Sequence, residues 1–352
     1  MHTSQTNQNS RASQSRIVIA AALVLAVLGP SALAPSGCSR GGGDNKVSIM
    51  VGGLEKQIYL PAKLADSLGA FGRAGLEVEL LSTPAGVEAV NELLAGAVHA
   101  VVGFYDHTID LQARGKGIQC IVQFSRAPGE VVLVSSKRAG EMHTPADFRG
   151  RTIGVTGLGS STNFLIQYLA SKHGVANSEF SVLPVGAGNT FITAMQQGRI
   201  DAGMTTEPTI SRLVKTGEAS VMIDLRTPDS TQAALGGPYP AACLYVQTAW
   251  LESNRATAQK LAAALVEALR FIDTHSAAEI ADKMPAQFYA GDRELYVRAL
   301  AEGKSMFTPD GKMPPGGPEM VLSVLAGFNN NVKGKVIDLS KTFTSELVDA
   351  VH

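Results

Sequence analysis

Hydrophobic and polar positions along the chain fall into two successive runs that repeat each other. Val47–Val51 alternates as a strand, Ile58–Leu68 carries helical spacing up to Gly69, and Leu76–Leu81 (LEVELL) alternates again. Val87–Leu94 then reads as a helix and Ala97–Gly103 as a strand. The second run gives the same order: strand Thr152–Thr156, helix Ser161–His173, strand Ser181–Val185, helix Asn189–Gln197, strand Ile200–Thr205. At an offset of 102 residues Gly86 meets Gly188, Leu93 meets Met195, Gly96 meets Gly198, His99 meets Asp201 and Ala100 meets Ala202. A chain that repeats itself in this way builds the same unit twice.

Strands alternating with helices of this length predict mainly parallel sheets with right-handed crossovers. Two such units make an α/β, two-lobed protein. Ligands of open α/β sheets sit beyond the carboxyl ends of the strands, so two facing lobes predict a site in the cleft between them. Glu130–Ser136 (EVVLVSS) carries the chain out of the first unit and Ala241–Thr248 (AACLYVQT) brings it back, a two-strand hinge. The expected organisation is lobe 1 over residues 47–134, lobe 2 over 135–239, and a return to lobe 1 with C-terminal helices over 240–352. The stretch beyond Gly291 is helical and loop-like and points to no function.

The N-terminus changes the picture. Residues 1–16 hold Arg11 and Arg16 and no acid, and Ile17–Leu28 is a twelve-residue apolar run closed by Gly29-Pro30. That run is too short to span a membrane, which takes about 20 apolar residues, and the pattern is that of a secretory signal. The exit, Ala34-Pro35-Ser36-Gly37-Cys38, resembles a bacterial lipobox ending at a cysteine to be acylated, although Pro35 stands where that motif carries an aliphatic residue. The competing reading is ordinary cleavage after Ala34. Residues 1–37 are therefore assigned as signal peptide and 38–46 as a flexible tether, lipid-anchored through Cys38, on an exported protein at a membrane surface or in the periplasm.

Composition adds exclusions. The 352 residues are 45% hydrophobic and 17% charged, ordinary for a folded α/β protein. Net charge is −1, and loss of residues 1–37, with two arginines and no acid, takes it to −3. No basic stripe marks a nucleic-acid surface. Cys120 and Cys243 lie in strand-like apolar runs and read as two buried thiols, with pairing in an oxidising compartment as the alternative. No spacing predicts a metal site, and no cofactor motif is present.

The ordered motifs Tyr59-Leu60-Pro61-Ala62, Leu68-Gly69-Ala70-Phe71, Gly75-Leu76-Glu77-Val78, Asp147-Phe148-Arg149-Gly150-Arg151-Thr152-Ile153-Gly154-Val155, Gly159-Ser160-Ser161-Thr162, Gly198-Arg199-Ile200-Asp201-Ala202 and Glu207-Pro208 carry a resemblance. Together they resemble the solute-binding proteins of ABC importers in the nitrate/sulfonate/taurine and pyrimidine-precursor group, from about Val47 to Met284. No single motif is specific, but the ordered set is. The resemblance implies a type II periplasmic-binding-protein-like fold and a monomer that delivers a small solute to a permease and its ATPase.

Candidate ligand contacts follow from the helix N-termini facing the cleft, where free N–H groups favour anionic or polar groups. These are Thr83 and Gly86, then Ser160, Ser161 and Thr162, and Asn189; simple capping and turn chemistry is the plainer account of each. Gly103-Phe104-Tyr105-Asp106-His107-Thr108 gathers aromatic and titratable groups at a carboxyl strand end. Phe104 or Tyr105 is placed to stack on a ring and Asp106 and His107 to hydrogen-bond it. The plainer reading makes Asp106 the N-cap of a helix over Thr108–Ala113. Gln57, with Lys56, opens the first helix; Glu207 ends a strand at the matching level of the second lobe; Tyr239 precedes the return strand and is placed to cover the cleft. No nucleophile elbow, HExxH, GxxxxGK or C-x-x-C is present, so no catalytic residue is assigned. The function read is capture of a small organic solute, anionic or heteroaromatic, between two closing lobes. The alternatives are a pyrimidine-precursor-synthase-like enzyme and a lipoprotein sensor on the same fold.

Overall fold

A computed structural model describes residues 45–351; the signal, the lipobox-like exit and Cys38 lie outside the described residues. In chain order the first lobe opens with β1 (Lys46–Val51), α1 (Leu60–Ser67), α2 (Ala70–Arg73), β2 (Glu77–Ser82), α3 (Gly86–Leu94), β3 (Ala100–Phe104), α4 (Asp106–Ala113) and β4 (Ile118–Gln123). Next come β5 (Glu130–Ser135), β6 (Thr152–Val155), α5 (Ser161–Lys172), β7 (Ser181–Pro184), α6 (Asn189–Gln196), β8 (Ala202–Thr206), α7 (Thr209–Lys215), β9 (Ala219–Leu225) and α8 (Pro228–Leu235). The chain ends with β10 (Ala242–Gln247), α9 (Thr248–Ser253), α10 (Arg255–Thr274), α11 (Ala277–Lys283), α12 (Arg293–Gly303), α13 (Gly317–Phe328) and α14 (Glu346–Asp349).

The strands form two five-stranded sheets of matching order, β2-β1-β3-β10-β4 and β7-β6-β8-β5-β9. Within each, the first three strands are parallel. The fourth is antiparallel to both of its neighbours: β10 in the first sheet and β5 in the second. The two segments read from sequence as crossings are thus also the strands that complete the sheets, each lobe taking one from the chain as it passes. The hydropathy of β5 shows why it lies inside: Val132 and Val134 enter the main core while Val131 and Leu133 enter a smaller one with Phe191, Ile210 and Leu213. A strand buried on both faces reads as a continuous apolar run, whereas the edge strand β2 alternates.

The repeat survives in detail. Gly96 and Gly198 both take the left-handed conformation where helix meets loop, with φ of 73° and 69°. His99 and Asp201 make equivalent bonds: the Nδ1 of His99 accepts the backbone N–H of Ser48 at 3.0 Å, and Asp201 accepts that of Thr152 at 2.9 Å. Each ties the third strand of its lobe to the first.

Two sequence readings need correction. The first helix is broken: a 3-10 turn over Gln57–Tyr59 leads into α1, and Gly69, with φ of 70°, turns the chain into the short α2. Asp106 is not an N-cap, since α4 begins at Asp106 with Tyr105 before it, and the carboxylate is used elsewhere. The stretch beyond Gly291 touches both lobes: α12 packs on α7, and α13 packs on α5 and on α4. Cys120 and Cys243 are buried free thiols.

Candidate functional site

The site grows from helix N-termini that converge where the sheets face each other. On the first lobe, Gly52 comes so close to the start of α3 that a side chain there would meet the Cα of Gly86 at 2.8 Å. Gly86 in turn lies under the His107 ring, whose Cε1 stands 2.9 Å from where a Cβ would be, so both positions require glycine. From the second lobe, α5 enters with Ser160, Ser161 and Thr162. The Thr162 hydroxyl accepts the backbone N–H of Thr156 at 3.0 Å, and Ser160 donates to the Gly157 carbonyl at 2.6 Å.

Asp106 joins the lobes. It is fully buried and accepts the Ser161 hydroxyl from the second lobe at 2.8 Å and the Tyr239 hydroxyl from the hinge at 3.0 Å. Burial pushes its carboxyl up, against the opposing pull of His107 and these two hydroxyl bonds.

Beside it lies an enclosed cavity of about 10 Å³, room for roughly one water. Lys56, Tyr59, Gly86, Phe104 and His107 line it from the first lobe. Glu130, Thr156, Thr206 and the three hydroxyl residues at the start of α5 line it from the second. His107 Nε2, Glu130 Oε2 and Thr206 Oγ1 are buried there without a hydrogen-bond partner. Buried polar atoms are rarely left unpaired, because each costs roughly 1–3 kcal/mol, and three converge here from two lobes. The Glu130 carboxyl is pushed well above the usual range by burial and then by Asp106, against the pull of Lys56. Lys56 Nζ donates to the carbonyls of Gly52, at 2.5 Å, and Pro84, at 2.9 Å, and burial lowers its pKa.

The sequence-derived candidates therefore divide. Gly86, His107, Ser160, Ser161 and Thr162 line the cavity, while Asp106 and Tyr239 brace it from behind. Thr83 lies outside it in a shallow recess and donates to the Ala85 carbonyl at 3.2 Å. Asn189 and Glu207 line a separate pocket of about 260 Å³, which shares Lys56 with the cavity. Their polar atoms are engaged: Asn189 accepts from Arg212 at 2.9 Å, and Glu207 from Ser211 at 2.9 Å and Arg226 at 3.1 Å. Two candidates turn away. The Tyr105 hydroxyl bonds to Thr342 and its ring packs edge-on against Phe343, so it is Phe104 that reaches the cavity. Gln57 donates through Nε2 to the Tyr296 carbonyl at 3.0 Å. Sequence reasoning missed Glu130, Tyr59, Thr156 and Thr206. A signal existed for Glu130: an acid opening a strand that is otherwise almost wholly apolar.

Two lobes of matching sheet order around an enclosed polar cavity define the type II periplasmic-binding-protein class of fold. The chain belongs to the family described as NMT1/THI5 like, which matches residues 59–278. A protein of known structure from Bordetella bronchiseptica RB50 is 36% identical, with a TM-score of 0.84 over 87% of this chain and 96% of its own. The alkanesulfonate-binding protein SsuA from Xanthomonas axonopodis pv. citri, bound to MOPS, is 16% identical, with a TM-score of 0.69 over 86% of this chain and 99% of that one. The periplasmic nitrate-binding protein NrtA from Synechocystis PCC 6803 is 13% identical, with a TM-score of 0.68 over 86% and 87%. The last two share the fold.

Proposed function

We propose that this chain is the exported solute-binding component of an ABC importer, holding a small organic solute between its lobes and presenting it to a permease. The observation that carries this reading is that His107, Glu130 and Thr206, from both lobes, line one small cavity and each bury a polar atom without a partner. A solute that pairs them only when the lobes meet binds the closed form better than the open one, and that difference drives closure. The fold shared with an alkanesulfonate-binding and a periplasmic nitrate-binding protein supports the same reading, as does the leader of residues 1–37 with the acylatable Cys38 as tether. The chain acts by closure and release.

The chemistry of the cavity narrows the solute. Two buried carboxyls, Asp106 and Glu130, stand against one buried ammonium, that of Lys56, two of whose hydrogens already serve backbone carbonyls. With both carboxyls pushed up by burial and the Lys56 ammonium committed to backbone carbonyls, the lining suits a neutral solute better than a bare anion. Glu130 Oε2 calls for an N–H or O–H donor, and Tyr59 and Phe104 offer aromatic walls. With the lobes parted enough to widen a space that now takes roughly one water, a small heteroaromatic compound carrying ring or amino N–H groups suits these side chains best, with the Thr206 hydroxyl beside its acceptors.

Thermal unfolding of purified residues 39–352 against pyrimidines, aromatic amines, sulfonates, taurine and nitrate tests this. At 100 times its dissociation constant a ligand stabilises by about 2.7 kcal/mol, a shift of a few degrees for a chain this size. The expected result is a shift with an amino-heterocycle, which is then recovered unchanged. A shift with sulfonates or nitrate alone contradicts the assigned chemistry, and conversion of the compound contradicts the receptor reading in favour of an enzyme.

A further inference from the structure

The inner cavity has a neighbour. A groove of about 400 Å³ runs between α3 and α4 of the first lobe and α5 of the second, lined also by the chain that follows α13. The two spaces share His107, and they adjoin at two further steps of the chain: Gly86 faces the cavity and Val87 the groove, Ser160 the cavity and Gly159 the groove. One residue's thickness separates them. His107 is 4% exposed; its Nδ1 faces the Tyr245 hydroxyl at 3.5 Å, and its Nε2 has no partner. A buried, unpaired ring nitrogen thus stands on the wall common to both.

The groove differs from the cavity in chemistry. Its charged side chains, Asp110 and Arg114, neutralise each other at 3.3 Å, and Asn329 adds a bond to Asp110 at 2.8 Å. The other polar lining is carboxamide: Asn91, Gln167, Asn177 and Asn331 among them, of which Asn177 donates to Gln167 Oε1 at 2.8 Å and Asn331 to Asp110 at 3.3 Å, each keeping its own amide oxygen for a ligand O–H. A carboxamide both donates and accepts without charge, which is what a hydroxyl requires of its partner. Phe164 and Phe328, packed together with ring centroids 5.8 Å apart, supply an apolar wall against which the C–H face of a ring can lie. The volume is that of a small-ligand site.

We infer that the groove is a second subsite, which takes an uncharged polyhydroxyl portion of the solute, a sugar-like ring, while its head enters the inner cavity beyond His107 as the lobes part to widen it. The inference rests on reading the inter-lobe cavity as the solute site. His107, which lines both spaces, then serves as the junction of the two subsites and sets how far a solute extends from one to the other.

The test compares cytosine with cytidine, which adds a neutral ribosyl ring to the same head, and uses D-ribose and myo-inositol as probes of the groove alone. Calorimetry on the mature chain is expected to show cytidine binding at least about tenfold more tightly, about 1.4 kcal/mol. Gln167→Trp, which fills the groove, is expected to erase that gain and leave cytosine affinity unchanged; Asn177→Trp, at an exposed position, is the second filling variant should the first misfold. Cytidine binding no better than cytosine, or a gain that survives filling, overturns the subsite. If neither compound binds, the heteroaromatic reading of the inner cavity fails by itself. The subsite is then judged by nitrogen-labelled side-chain amide spectra: it stands if ribose or inositol shifts the resonances of Asn91, Gln167 and Asn177, and falls if neither does.

Discussion

Asp106 and Glu130 divide the work of the site. Asp106 spends both carboxylate oxygens on protein donors, Ser161 across the cleft and Tyr239 in the hinge, so its part is to hold the lobes together. Asp106→Asn should therefore weaken solute binding about tenfold or more through faster dissociation, with the association rate little changed, as stopped-flow fluorescence would read it. An unchanged dissociation rate removes Asp106 from closure. Glu130 is different, because burial lifts its carboxyl well above the range of the unfolded chain. The folded state then keeps a proton that the unfolded state loses above about pH 4.3, so stability falls as pH rises until the folded pKa is passed. Glu130→Gln should flatten the decline in unfolding temperature of the ligand-free protein above about pH 4.3; an equal slope in both proteins contradicts a proton held at Glu130. At this scale the sequence was half legible. Asp106 and His107 stood out because they gather titratable groups beside aromatic ones at a carboxyl strand end, where ligands of this architecture sit, although helix capping also accounted for Asp106. Tyr105 misled because successive residues on a helix point about 100° apart, and one step separates the cavity from the core. Glu130 hid in the apolar run of β5, where burial alone explains its neighbours.

Among the elements, the repeat was the most legible feature, and its register held down to single contacts. Asp201 illustrates why. Desolvation raises its carboxyl, but the Thr152 N–H and the Arg138 guanidinium outweigh this and hold it below the ordinary range. Asp201→Ala should cost about 1–3 kcal/mol at neutral pH, measured by urea unfolding. The depressed pKa fixes the sign: the contribution is present above the unfolded value near about 3.9 and is lost as pH falls through the folded value. A loss that is undiminished at about pH 2 would contradict the role assigned to the carboxylate. The antiparallel partners were less legible. That β5 and β10 cross between lobes follows from their place between the two repeats and after the second. Their insertion inside the sheets rests on pairing between residues far apart in the chain, as with Val246 and Ala100. Local pattern carries no record of such pairings.

For the whole molecule, two crossings and the C-terminal helices link the lobes. Arg226 of the second lobe, paired with Glu207 and Asp224, also reaches Glu302 of α12 at 3.2 Å, and Lys215 of α7 reaches Asp292 at 2.5 Å. Lys215 and Asp292 lie in reach of solvent and contribute little to stability, but such links bias an equilibrium that a solute need only tip. Lys215→Ala should leave the unfolding temperature within about a degree, since water and salt screen a pair at the surface. A drop of several degrees would show that the link carries structural weight and does more than bias closure. None of this was legible beyond Gly291, because helices that pack on two lobes present no single apolar face to read.

The central claim, that solute binding closes the lobes on one cavity, is tested most directly by the distance between them. Nitroxides at Ala95→Cys and Gln197→Cys, exposed positions at the ends of α3 and α6, report it by pulsed electron paramagnetic resonance. Saturating solute is predicted to contract a broad distribution to a shorter, narrow one. A distribution that does not change at saturation would contradict closure, and with it the account of how this chain works.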